Sequence, residues 1–70
     1  MEKTVLITGC SSGFGRELCN EFKDCGYYVI ATARNVMKLS DVKADLKIEL
    51  DVSDERSIRN SMKLILSVCL

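Results

Sequence analysis

The amino-terminal half of the chain alternates strand and helix patterns around a glycine-rich turn. Residues 4–8 form a β-branched, apolar run that ends at a glycine, as expected for a parallel strand buried on both faces. A glycine- and serine-rich turn, a helical pattern and a second β-branched run at residues 27–32 follow. Two parallel strands joined by a helix form a βαβ unit, so this order favours an α/β fold.

The first helix is predicted from apolar residues at helical spacing, with Gly26 as its stop and Ser11 or Ser12 as its cap. Its predicted apolar face consists of Phe14, Leu18, Cys19, Phe22 and Cys25. All of the cysteines outside the turn, including Cys69 near the end of the chain, are predicted to pack in the core.

The carboxy-terminal half predicts a third strand and a second helix. Residues 34–44 indicate at most a short helix, and the alternation of Leu46, Ile48 and Leu50 predicts a strand. Ser53 is the predicted cap of a helix that begins with Asp54 and Glu55. The apolar positions of that helix are Ile58, Met62, Ile65, Leu66 and Cys69.

Length and charge limit the classes of function. The 70 residues are about half of an ordinary domain, so residues 1–70 are expected to form part of a domain. Ten basic residues balance ten acidic ones, four of each sign through Asn35 and six of each after it, which predicts no nucleic-acid or anionic-membrane partner. The longest uncharged run has 12 residues, fewer than the ~20 that a spanning helix needs.

Cysteine spacing and the lack of histidine limit the chemistry. No two of the four cysteines have the two-residue gap of a zinc knuckle or a redox motif, so reduced thiols and a cytoplasmic location are predicted, and the first residues do not resemble a signal peptide. A chain without histidine has no imidazole metal ligand and no histidine-activated nucleophile, and no metal site is predicted. Cys10, at a helix start, is either a reactive thiol or an ordinary loop residue.

The glycines at positions 9, 13 and 15 predict a phosphate-binding turn, because glycine lets backbone amides approach a pyrophosphate at a helix start. The turn differs from a Walker A loop, since Arg16 and Glu17 follow the last glycine. The alternative is a tight strand-to-helix turn without a ligand.

Residues 8–15, TGCSSGFG, resemble the Thr-Gly-x-x-x-Gly-x-Gly motif of the classical short-chain dehydrogenases/reductases, and the resemblance extends over nearly the whole chain. It implies a partial Rossmann-type fold: a three-stranded parallel sheet of order 3-2-1 with flanking helices, the fourth and later strands missing. It also implies that the turn binds the pyrophosphate of a nicotinamide dinucleotide. The residues implied at the turn are Gly9, Ser11, Ser12, Gly13, Phe14 and Gly15.

Arg34 favours NADP(H) over NAD(H). NAD-binding folds usually place an acid at the end of the second strand, whereas an arginine there can pair with a 2′-phosphate. The family often has a second basic residue at the position of Ser12, so this serine departs from the pattern. The resemblance further implies that Asp51 contacts the adenine amino group and that Val52 lines the adenine pocket. Alternatively, Arg34 is a solvated loop residue and Asp51 is an ordinary turn residue.

No catalytic residue can be carried over from the family, which uses a tyrosine, a lysine four positions later, a serine and an asparagine. Tyr27 is followed at the fourth position by Ala31, and Tyr28 by Thr32. The family's Asn-Ala-Gly segment does not occur in the sequence. The chain is therefore expected to be the NADP(H)-binding amino-terminal portion of an oxidoreductase that transfers hydride between nicotinamide and a carbonyl or alcohol, without turnover by itself.

Two alternatives remain open at this point. The chain could be a small nucleotide-binding or interaction module that pairs through the exposed edge of its first strand, with itself or with a longer relative. It could also be a truncated product without a function of its own. The substrate is not predicted.

Overall fold

The chain folds in the order strand, helix, strand, short helix, strand, helix. The computed structural model describes residues 3–11 and 13–69, with side chains through Ser67. The elements are β1 (Thr4–Ile7), α1 (Gly13–Asp24), β2 (Tyr28–Ala33), a 3-10 helix (Val36–Leu39), β3 (Leu46–Glu49) and α2 (Glu55–Cys69). The predicted α/β class is confirmed.

The three strands form one parallel sheet in which β2 lies between β1 and β3, so the predicted order 3-2-1 is confirmed. Ile7 pairs with Ala31, and Ile30 pairs with Leu46. The central strand is the most buried element, with Val29–Ala33 all inaccessible to solvent or nearly so. Because all strands run the same way, their carboxyl ends lie at one edge of the sheet.

The core lies on one face of the sheet, where α1 packs against β1 and β2 and the 3-10 helix packs against β2 and β3. Its buried members are Ile7, Cys10, Cys19, Val29, Ala31, Ala33, Leu39 and Val42. Cys10, in the turn after β1, is completely buried as a member of this core.

Two members of the predicted apolar face of α1 are solvent-exposed. Phe14 is 79% exposed, and Cys25 is also exposed. Gly15 and Cys19 are the residues of α1 that are buried against the sheet. Phe14 is one position from Gly15, about 100° around the helix, and lies over the outer edge of β1. Cys25 follows the last residue of α1, beyond the part of the helix that meets the sheet.

The second helix begins one residue later than predicted. Asp54, rather than Ser53, is its cap: Asp54 Oδ1 accepts a hydrogen bond from the Arg56 amide at 2.9 Å. Ser53 instead donates to the carboxylate of Asp51. A cap must precede the helix directly for its side chain to reach the second or third amide, and Asp54 meets that condition.

The second helix meets the sheet through a serine rather than through its apolar stripe. Ser61, 3% exposed, donates from Oγ to the Glu49 carbonyl at 2.9 Å. Ile58, Met62 and Leu66 are exposed and Ile65 is half-buried, because α2 contacts only the outer strand β3 within the described residues. The side chain of Cys69, predicted to be in the core, lies outside the described residues. No helix in the described part of the chain is long and apolar enough to cross a membrane.

Candidate functional site

A cleft of about 560 Å³ lies at the carboxyl ends of the three strands. In parallel α/β sheets, ligands bind in a crevice at this edge. Five residues of the predicted site line the cleft: Gly9, Ser11, Arg34, Asp51 and Val52. The remaining lining residues are Thr8, Ala33, Asn35, Lys38, Leu50 and Ser53.

The floor of the cleft is the glycine-rich turn, held to the end of β2. The Cys10 amide donates to the Thr32 carbonyl at 3.0 Å, and Thr32 Oγ1 donates to the Ile7 carbonyl at 3.0 Å. Gly9 and Gly13 have φ angles of 67° and 41°, in the left-handed region that favours glycine. The backbone conformation of the turn therefore depends on these two glycines.

Gly15 lies directly against the turn at the start of α1. A Cβ built on Gly15 would be 2.4 Å from the Gly9 carbonyl oxygen and 3.1 Å from the Cys10 Cα atom. Only glycine fits at position 15. The close contact that it allows places the positive amino-terminal end of α1 against the turn.

Three predicted site residues that the structure describes, Gly13, Phe14 and Gly15, are not part of the cleft lining. Phe14 and Gly15 line a neighbouring groove along β1, and Gly13 lies at the start of α1. Ser12 lies outside the described residues. The structure therefore places five predicted site residues in the cleft lining, whereas Gly13, Phe14 and Gly15 lie at the start of α1.

The rim of the cleft carries two basic side chains, Arg34 and Lys38, both exposed. Lys38 is not among the residues predicted from the sequence. Asn35 caps the 3-10 helix by accepting from the Met37 amide at 3.0 Å, and this short helix contains Lys38, which lines the same cleft as Arg34. The sequence signal was the spacing of four residues between two basic side chains in a segment predicted to be a short helix.

Asp51 lies on the opposite wall and is held by its own loop. Its Oδ1 atom accepts from the Ser53 hydroxyl at 2.6 Å and from the Ser53 amide at 3.0 Å. These two hydrogen bonds, with a smaller contribution from the charge of Arg34, hold the pKa of Asp51 below its ordinary value. Asp51 is thus a charged turn residue that also lines the cleft, next to the 63% exposed Val52.

The two tyrosines lie at the other end of β2 from the cleft. Tyr28 is the first residue of β2. Tyr27 packs edge-to-face against Phe22, with ring centroids 4.9 Å apart.

Among the described residues, no group of three cysteine, aspartate or glutamate side chains could hold a metal ion. The arrangement offers contacts for a phosphate-bearing ligand at the turn and at the basic rim.

Sequence comparison adds a family and its relatives. The family model of the short-chain dehydrogenases matches residues 3–68. The chain is 49% identical over 61 residues to the NADPH-dependent 1-acyldihydroxyacetone phosphate reductase of Schizosaccharomyces pombe, a match that covers 83% of this chain and 21% of that protein.

Structure comparison agrees with this match. A short-chain dehydrogenase from Streptomyces avermitilis superposes with a TM-score of 0.84 at 36% identity, covering 96% of this chain and 27% of that one. The 3-ketoacyl-(acyl-carrier-protein) reductase of Brucella melitensis, solved with NADH, superposes with a TM-score of 0.83 at 30% identity, covering 93% and 29%. The chain thus spans less than a third of the length of each of these three proteins.

Proposed function

The chain belongs to the short-chain dehydrogenase family, and on that premise we propose that it binds NADP(H) as the amino-terminal cofactor-binding portion of an oxidoreductase. The observation that carries this proposal is the cleft in which the glycine-rich turn, a basic rim and Asp51 converge at the carboxyl ends of the strands. Residues 1–70 are proposed to form this portion of a larger dinucleotide-binding domain.

The turn fits the pyrophosphate of the cofactor. Gly15 leaves no room for a side chain between α1 and the turn, so the backbone amides at the helix start can come close to a phosphate. The Gly9 backbone and the Ser11 hydroxyl line the cleft beside them. We propose that Ser12, Gly13 and Phe14 add backbone amides or hydroxyls to the same contact. When bound, the nicotinamide ring supplies the hydride-transfer chemistry.

A preference for NADP(H) is supported by the charges on the rim. Arg34 presents a planar guanidinium that can pair with a 2′-phosphate through two hydrogen bonds, and Lys38 adds a second positive charge beside it. The Schizosaccharomyces pombe relative is NADPH-dependent, while the Brucella melitensis relative was solved with NADH. The preference of this chain is therefore assigned to its own rim residues.

The adenine contact is proposed for Asp51 and Val52. Asp51 Oδ1 is occupied by Ser53, and the second carboxylate oxygen can accept a hydrogen bond from the adenine amino group. Val52 offers an exposed apolar surface for the ring.

We propose that the 70-residue chain does not catalyse hydride transfer by itself. Catalysis at a carbonyl needs a group that exchanges a proton within hydrogen-bond reach of the substrate. Both tyrosines lie at the amino end of β2, away from the cleft, and neither is followed by a lysine four positions later. A cytoplasmic location stays a prediction from the cysteine spacing.

The test is a titration of the purified chain with NADPH and, separately, with NADH, followed by amide NMR spectra. We expect saturable shifts at residues 9–15, with tighter binding of NADPH. Arg34→Asp should reverse the preference, whereas Arg56→Asp, with the same charge change on α2, should leave it unchanged. Spectra that respond to neither nucleotide would contradict the proposal, and equal affinities unaffected by Arg34→Asp would contradict the NADP(H) assignment.

The outer edge of β1 supports a second candidate function, pairing with another copy of this chain. In the described residues β1 pairs with β2 alone, and Leu6 and Phe14 are exposed beside that edge. A groove of about 590 Å³ runs along it. Unpaired strand edges favour strand addition. Sedimentation equilibrium should show a concentration-dependent dimer that Leu6→Lys disrupts, and a monomer at all concentrations would contradict this candidate.

A further inference from the structure

Two buried thiols meet behind the glycine-rich turn. The Cys19 thiol on α1 donates to Cys10 Sγ at a sulfur–sulfur distance of 3.3 Å, and both residues are completely inaccessible to solvent. Cys10 directly follows Gly9 in the turn, and Cys19 is one helical turn beyond Gly15. The pair therefore joins the turn to the helix that supports it.

The local hydrogen bonding tolerates oxidation of this pair. A disulfide has its sulfurs about 2.05 Å apart, so the two atoms, now 3.3 Å apart, need to approach by about 1.3 Å. Cys10 donates to the Ile7 carbonyl at 3.1 Å, a bond that oxidation removes. That carbonyl keeps a donor, because Thr32 Oγ1 also donates to it at 3.0 Å. Oxidation thus leaves no buried acceptor without a partner at this position.

We propose that Cys10 and Cys19 are an oxidation site, at which a peroxide or a low-molecular-weight disulfide converts the two thiols into an intramolecular disulfide that weakens cofactor binding. The disulfide itself follows from the geometry of the two thiols, and its effect on binding rests on the proposed function of the turn.

The reaction balances with hydrogen peroxide as the oxidant. One cysteine sulfur attacks a peroxide oxygen, the O–O bond breaks, and a sulfenic acid and one water form. The second sulfur then displaces the hydroxyl group as water and forms the S–S bond. Burial, with the neighbouring Cys10, raises the pKa of Cys19 to about 12, so the Cys19 thiol stays protonated near neutral pH. With oxidised glutathione as the oxidant, two thiol–disulfide exchange steps form the same Cys10–Cys19 disulfide and release two molecules of reduced glutathione.

The link to cofactor binding comes from the packing around Gly9. Gly15 already lies against the Gly9 carbonyl, so drawing Cys10 towards α1 must displace the backbone that faces the pyrophosphate. By reciprocity, a bound cofactor must disfavour the disulfide by the same factor. Because both sulfurs are buried, oxidation also requires a local opening of the turn, and exposed Cys25 should react faster.

The experiment uses the full chain with Cys25→Ser and Cys69→Ser, which leaves only the proposed pair. The protein is treated with hydrogen peroxide or with oxidised glutathione, with and without NADP⁺. Peptide mass spectrometry detects the Cys10–Cys19 cross-link, and NADP⁺ titration measures binding before oxidation, after it, and after reduction with dithiothreitol. Cys19→Ala is the control that cannot form the cross-link. If Cys19→Ala does not fold, Cys10→Ser serves as the control instead.

We expect the cross-linked peptide, a loss of roughly fivefold or more in NADP⁺ affinity that dithiothreitol reverses, and slower cross-linking when NADP⁺ is bound. Failure to find the cross-linked peptide overturns the oxidation site. A cross-link with unchanged affinity overturns the effect on binding. A reduced protein that binds no nucleotide contradicts the proposed function and the effect on binding together, while the peptide result still decides the oxidation site.

Discussion

Gly15 at the start of α1 packs so tightly against Gly9 that a Cβ atom on Gly15 would be 2.4 Å from the Gly9 carbonyl oxygen. The two glycines have different physical roles. Gly9 has a left-handed backbone and a Cβ atom on it would meet no atom within 4 Å, whereas Gly15 is required by the close contact alone. The contact sets the distance between the helix start and the turn, on which the proposed pyrophosphate contact depends.

Gly15→Ala should therefore disrupt the turn. We expect a loss of about 2 kcal/mol in the free energy of unfolding, typical of overpacking, together with loss of measurable NADPH binding. Gly26→Ala is the matched control, since it strains a φ of 87° but places its Cβ in open space far from the cleft. Gly26→Ala should lower the free energy of unfolding by about 1 kcal/mol and leave NADPH binding unchanged. Urea denaturation and NADPH titration measure the two effects, and full binding by Gly15→Ala would refute the role of the contact.

Lys38 should contribute to NADPH binding independently of Arg34. Lys38→Ala removes one charge from the rim, and we expect NADPH affinity to fall about tenfold or more, as for one charge-assisted hydrogen bond. NADH affinity should change little, because NADH lacks the 2′-phosphate. Lys43→Ala, an exposed lysine outside the cleft, is the control. Equal losses for both nucleotides would show that Lys38 acts on something other than the 2′-phosphate.

Ser61 should be important for holding α2 on the sheet. Ser61→Ala removes the hydrogen bond to the Glu49 carbonyl, and we expect a loss of about 1 kcal/mol in the free energy of unfolding. Ser67→Ala, which removes a bond to Leu64 within the exposed part of α2, should leave stability unchanged. Urea denaturation compares the two variants, and equal stability of both would contradict the docking role of Ser61.

Asp45 should make stability depend on pH in the acid range. It accepts from Lys23 Nζ and, at 2.7 Å, from the Val29 amide. The bond from Lys23, followed by that from Val29, lowers the pKa of Asp45 in the folded chain. A carboxylate with a lowered folded pKa stabilises fully above its unfolded pKa of about 3.9 and loses that contribution as the pH falls through the folded value.

The stability difference between the wild-type chain and Asp45→Asn should thus be largest near neutral pH and shrink as the pH falls below about 4. Asparagine keeps an acceptor for the Val29 amide, so the variant tests the charge. Asp24→Asn, on exposed α1 surface, is the control. Chemical denaturation across the pH range measures the difference, and a constant difference from neutral to acid pH would exclude the ion pair as its source.

Local patterns in the sequence predicted most of the fold. The three strands, both long helices and the 3-10 segment lie close to where apolar periodicity, glycines and β-branched runs indicated, because these signals act over a few residues. The cap of α2 is one residue later than predicted: Ser53 and Asp54 are both good caps, and two hydrogen bonds distinguish them, from Ser53 to Asp51 and from the Arg56 amide to Asp54.

The order of elements, the parallel sheet and the glycine-rich turn could be predicted from the sequence, because each follows from backbone preferences and short-range spacing. Which apolar positions are buried followed only from the packing: Phe14, Cys25, Ile58, Met62 and Leu66 are exposed, since burial depends on which surfaces another element covers. The tertiary structure also decided that Lys38 joins Arg34 and that Cys10 meets Cys19. These pairs lie in different turns or elements, and only the packing of the chain sets the distance between their side chains.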